Sequence, residues 1–150
     1  MPEQERPPEH WKPAATTLRR VVPVAQKRHA SGLTVALSYL GIHEGGNGFL
    51  RFLMRQDRPT RRRALTTPRL ELRVWDGSGR PLETREDGSG SSMESSYATL
   101  ASHASLLVFG LRDSGGVDVQ VVRVVDLDMY GRPREEGPSW EGPWTFRFRV

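Results

Sequence analysis

The sequence predicts an all-β domain, an immunoglobulin-like sandwich of two antiparallel sheets with about seven to nine strands. Three observations carry that prediction. Apolar residues recur at every second position in several segments, as in "GLTVALSYLGIH" and "WTFRFRV", the period of a half-buried strand. Those segments are rich in β-branched and aromatic residues and are separated by Gly, Asp, Ser and Pro clusters, which supply turns. No window places apolar residues at i, i+3, i+4 and i+7 over three turns, so helices are not expected.

The chain has 150 residues, long enough for one domain with a real core, and its 36% of hydrophobic residues is low for a compact fold and suggests some polar tail or loop. Residues 1–16, rich in Pro, Glu and polar groups, read as a flexible N-terminal tail, with Trp11 its one anchor. Residues 17–150 read as the β-sandwich domain. Thr17 to Val24 opens it as an edge strand, since Pro23 has no N–H to give a ladder. "GLTVALSYLGIH" puts Leu33, Val35, Leu37 and Tyr39 on one face, and "EGGNG" turns the chain. "FLRFLMR" returns with Leu50, Phe52 and Met54 inward and Arg51 and Arg55 outward.

Gln56 to Pro68 is a polar connection. "RLELRVW" points Leu70, Leu72 and Val74 inward and Arg69, Glu71 and Arg73 outward. "DGSGRP" is a second turn before a short strand near Leu82 to Arg85, and Glu86 to Ser96 reads as a flexible loop. Short strands follow at "SYATLA" and at Ser105 to Arg112, with "DSGG" as a third hairpin turn. "VDVQVVRVVDLDM" is the longest strand, and its phase slips at Val121–Val122, which predicts a β-bulge. After the loop "YGRPREEGPSWEG", Pro143 starts a closing strand that sends Trp144, Phe146, Phe148 and Val150 to the core. Arg147 and Arg149 stay in solvent.

Composition narrows the chemistry. There is no cysteine, which excludes disulfides, zinc–thiolate centres and thiol nucleophiles. The first residues have no apolar core of a signal peptide, and no apolar run approaches membrane-spanning length. The expectation is a soluble, non-secreted, cytoplasmic chain. The net charge is +4, and of its 22 basic residues all but Lys12 and Lys27 are arginine. Guanidinium binds phosphate and carboxylate bidentately. The 18 acidic residues are interspersed, however, and the arginine excess reads as the coding bias of a GC-rich genome.

Candidate sites are few. Arg61, Arg62 and Arg63, with Arg58 nearby, form the densest charge cluster and would contribute phosphate contacts on a polyanion; as a solvated loop run they need no ligand. Trp75 has the parity opposite to Leu70, Leu72 and Val74. It reads either as an exposed recognition anchor or, with Trp140, as cover for a sheet edge, the second being preferred. Asp126, Asp128, Glu135 and Glu136 match no calcium-loop spacing, and Arg132 and Arg134 lie among them. His10, His29, His43 and His103 show no HxH or HExxH spacing. No GxSxG elbow supports a serine nucleophile, and the glycine runs lack the Lys-Ser/Thr of a phosphate cradle. No metal, cofactor or catalytic residue is assigned, and the chain is read as a non-enzyme.

The strand-and-turn run "GLTVALSYLGIHEGGNGFLRFLMR", the middle "LELRVWDGSGRPL" and the ending "EGPWTFRFRV" together resemble uncharacterised bacterial immunoglobulin-like β-sandwich domains. Domains of that kind occur in extracytoplasmic parts of anti-sigma-factor-type and lipoprotein-type proteins and as stand-alone chains. The resemblance implies a sandwich with a non-catalytic role. The expected function is a non-enzymatic interaction module whose partner is another protein. The alternative is polyanion (nucleic acid) binding through the loop arginines with Arg51, Arg55, Arg69 or Arg73. No membrane partner is expected.

Overall fold

The computed structural model describes residues 18–60, 64–92, 101–112, 115–127 and 138–150. The expected tail (1–16), Arg61 to Arg63, most of "SYATLA", the start of "DSGG" and the acidic positions 128, 135 and 136 lie outside them. The described residues form nine strands and no helix. They are β1 (Leu18–Ala30), β2 (Leu33–His43), β3 (Gly48–Gln56), β4 (Pro68–Asp76), β5 (Pro81–Leu82), β6 (Thr84–Ser92), β7 (Ala101–Val108), β8 (Gly116–Asp126) and β9 (Ser139–Arg149). Five make one antiparallel sheet in the order β1-β2-β3-β7-β6, and four make the other, β5-β4-β8-β9. The all-β, two-sheet expectation holds.

Alternation explains the core. Leu33, Val35, Leu37, Leu50, Phe52 and Met54 from the larger sheet meet Val117, Val119, Val121, Trp144 and Phe146 from the smaller one, all buried. The Phe52 and Phe146 rings meet edge-on at 6.1 Å across the sheets. Trp144 Nε1 donates to Leu33 O at 3.0 Å, so its indole is satisfied inside the core.

Several segments depart from the sequence reading for identifiable reasons. Ser38 is an extra residue in β2, because Leu37 pairs with Phe52 and Tyr39 with Arg51. That bulge reverses the parity, so Tyr39 turns outward and Leu40 and Ile42 enter the core. β1 runs on to Ala30 and closes onto β2 through Ser31–Gly32, both at positive φ (55° and 78°). A two-residue turn of that handedness matches the strand twist.

The segment read as a loop after Glu86 continues as β6 through Ser92. Its backbone pairs with β7, and the Gly and Ser residues that look like loop composition leave that pairing intact. "DSGG" does not make a hairpin, since β7 and β8 belong to different sheets. β9 begins at Ser139 rather than Pro143 and buries Trp140 as well as Trp144. The predicted bulge in β8 is present: Val121 pairs with Leu72 and Arg123 with Glu71, leaving Val122 unpaired and 38% exposed.

The two sheets meet along one side. Gln26 Nε2 donates to Arg147 O at 2.7 Å, and Ser31 Oγ donates to Glu141 O at 2.6 Å. The Arg28 guanidinium lies 5.8 Å from the centre of the Phe146 ring. Edge strand β1 thus covers edge strand β9.

Candidate functional site

The sandwich presents two outer faces of different chemistry, and strand register dictates both. On the four-stranded sheet the cross-strand rows are Glu71–Arg123–Glu141, Arg73–Gln120–Thr145 and Trp75–Asp118–Arg147. Arg123 pairs with Glu71 at 2.7 Å and Arg147 with Asp118 at 3.1 Å. Opposite charges placed directly across a ladder keep this face polar and neutralised.

The five-stranded sheet carries other rows: Val21–Gly41–Phe49–Leu107–Arg85, Pro23–Tyr39–Arg51–Ser105–Gly88 and Lys27–Ala36–Leu53–His103–Gly90. Tyr39 packs edge-on against Phe49 at 5.6 Å, and His43 lies 5.3 Å from the same ring. Phe49 lies across Gly41, where a side chain would collide with the ring. Val21 and Leu53 remain 47% and 46% exposed. Arg51 is turned along the sheet and donates to Ser105 Oγ at 2.9 Å. Apolar and aromatic groups fill the rows on this face around Arg51, which stands on the central strand. Solvent-exposed apolar groups gathered on one face mark an interaction surface more often than a free one.

Among the described residues, Arg58 and Trp75 of the sequence-selected set lie away from that face. Arg58 is exposed in the β3–β4 connection and lines a cleft of about 300 Å3 with Gln56, Asp57 and Trp140. Asp57 in that cleft is paired with His29 at 2.7 Å. Arg61, Arg62 and Arg63 lie outside the described residues. Arg51 and Arg55 project from the five-stranded sheet, whereas Arg69 and Arg73 project from the opposite face of the sandwich. Arg69 faces Glu86 at 3.4 Å. Trp75 is half-buried on the four-stranded face beside Pro81 of β5 and Asp118 of β8. The pairing of Trp75 with Trp140 as an edge cover is corrected: Trp140 is a core residue, because β9 starts four residues earlier than the alternation suggested.

Buried carboxylates serve the scaffold. Asp126 accepts hydrogen bonds from Thr66 N at 3.0 Å, Thr67 N at 2.8 Å and the Thr66 hydroxyl at 3.2 Å. Together with Gln56, which accepts from Leu65 N, and Ser102, which donates to Leu65 O, it pins the connection that carries Leu65 into the core. Asp76, 4% exposed, accepts from Ser78 N and Oγ, Arg80 N and Arg80 Nε. Arg112 Nε stands 3.5 Å away. The Ser78 hydroxyl, followed by Arg80, holds the Asp76 carboxyl well below its ordinary range, although burial pulls the other way. Both its oxygens are engaged, so it organises the end cleft of about 420 Å3 that Leu111, Arg112, Val117 and Arg149 line. Among the described residues, no three His, Asp or Glu side chains converge as a metal site.

The sheet-face composition was readable in principle. Phe49, Leu53 and Leu107 occupy the outward parity of their strands, where polar residues are expected on a wet face. Comparison of the chain with protein-family models, curated proteins and solved structures finds no match. What stands is an all-β domain of two packed antiparallel sheets, without a helix among the described residues long and apolar enough to cross a membrane.

Proposed function

We propose that the chain is a non-enzymatic interaction module that binds another protein through the outer face of its five-stranded sheet. The observation that carries the reading is the asymmetry of the two faces. Ion pairs cover one, whereas Val21, Tyr39, Phe49, Leu53 and Leu107 stand around Arg51 on the other. Burying exposed apolar area is the main favourable term in protein association, and aromatic residues are the usual anchors. Within this reading the domain is immunoglobulin-like and works in the cytoplasm. The first rests on the strand-and-turn resemblance, the second on the absence of cysteine.

The test is site-specific photo-crosslinking in native cells. A benzophenone side chain at position 53 is expected to trap a discrete partner, and the same group at position 145, on the opposite face, to trap none. Purified wild type should then bind that partner, and Leu53→Glu should weaken the complex by about 1–2 kcal/mol or more. Equal trapping at both positions, or undiminished binding by Leu53→Glu, would refute the assignment of the face.

A further inference from the structure

The two edges of the five-stranded sheet are unequally protected. Along β1, Pro23 has no N–H, the pairing is interrupted between Pro23 and Gln26, and Ala25 sits at φ 50°. Its second half lies against β9 through Gln26 and Ser31. Proline, a bulge and a covering strand are the devices that keep a sheet edge from accepting another chain.

At the other edge, β6 has a bulge at Asp87 and then runs regularly, Gly88 to Ser92 opposite Ser105 to Ala101. This stretch holds no proline and no charge, and among the described residues β6 is paired only with β7. In an antiparallel ladder, alternate N–H and C=O groups of an edge strand point away from its neighbour. Beside that edge lies a groove of about 40 Å3, with Pro68, Leu70, Ala104 and Leu106 in its lining. The Arg69–Glu86 pair stands at its side.

We infer that the β6 edge takes up an extended segment of a partner protein as a sixth strand of this sheet. Main-chain hydrogen bonds to Gly88–Ser92 supply the attachment. The groove selects a small apolar side chain, alanine or valine, at an inward position of the guest. Gly88 and Gly90 have a use in this arrangement, since they carry no side chain to obstruct the incoming backbone. This edge does not depend on the apolar face being an interface, and its readout is separate.

The probe is the peptide acetyl-KTVTATVK-amide, added to the isotope-labelled full chain and followed by amide exchange and chemical shift. In the free protein, alternate amides within Gly88–Ser92 should exchange fast. Saturating peptide should slow those amides about tenfold or more while leaving Val21 and Val22 of β1 unchanged. The same peptide N-methylated at alternate residues, which cannot complete a ladder, should leave them unprotected without altering the protein. Failure of the unmodified peptide to give saturable shifts by about 1 mM, or protection at β1 instead, would overturn the proposal. Protection of the same amides that rises with protein concentration alone would assign the edge to a second copy and equally overturn it.

Discussion

Gly142 shows how a single residue is committed by its neighbours. A Cβ there would stand 2.5 Å from Val121 O and 2.9 Å from Val122 O, because β9 passes close to the β8 bulge. Gly142→Ala is therefore expected to destabilise the domain by about 1–3 kcal/mol, measured by urea unfolding. Asp126 is the polar counterpart. Asp126→Ala would strip acceptors from the buried amides of Thr66 and Thr67 and cost about 1–3 kcal/mol or more. Asp76 adds a pH signature. Its carboxyl is held below the ordinary 3.8 in the folded chain, so the unfolded chain takes up its proton first as pH falls. The stabilisation is whole above that ordinary value and is lost as pH drops below it. Thermal melts of wild type and Asp76→Asn should differ at neutral pH and converge as pH falls from about 5 towards 2.

Among the elements, β9 carries the most. Trp140, Trp144 and Phe146 are all buried on it, Phe148 and Val150 pack against the core, and β1 leans on its backbone. Phe146→Ala should cost about 3–5 kcal/mol. Deletion of Phe146 to Val150 should abolish the cooperative melt. A truncated chain that melts near the wild-type temperature would show that β9 is dispensable at its end.

β9 also shows what alternation conveys and what it omits. The parity of Trp144 and Phe146 was plain in the sequence. The strand's true start was not, because Ser139–Pro143 looks like a loop until β8 is placed beside it. The same holds for β2, where the bulge at Ser38 moves Tyr39 from the core to the outer face. One inserted residue changes the face of all that follow. β6 is the extreme case, a strand made of turn-forming residues and sustained by β7.

On the scale of the whole molecule, the two sheets give the domain an ion-paired face, a face rich in apolar groups, one closed side and, among the described residues, one open edge. Arg51 and Arg55 on one face and Arg69 and Arg73 on the other do not share a surface. The apolar groups on the five-stranded face predict a further property: Leu53→Glu should leave the unfolding free energy within about 0.5 kcal/mol of wild type, as a substitution at a half-exposed site, while weakening partner capture. Loss of both together would mean that Leu53 supports the fold rather than an interface.

The sequence by itself determined the fold class, the turn between β2 and β3, the bulge in β8 and the inward side chains of β3 and β4. These follow from local period, turn chemistry and β propensity, which neighbouring residues alone express. Tertiary structure decided which strands share a sheet, where β1, β6 and β9 begin and end, and that Trp140 and Leu65 are core residues. It alone separated Arg51 from Arg69 and collected Phe49, Leu53 and Leu107 on one face. Those outcomes depend on pairing between residues far apart in the chain, and a period of two carries no information about which partner lies across the ladder.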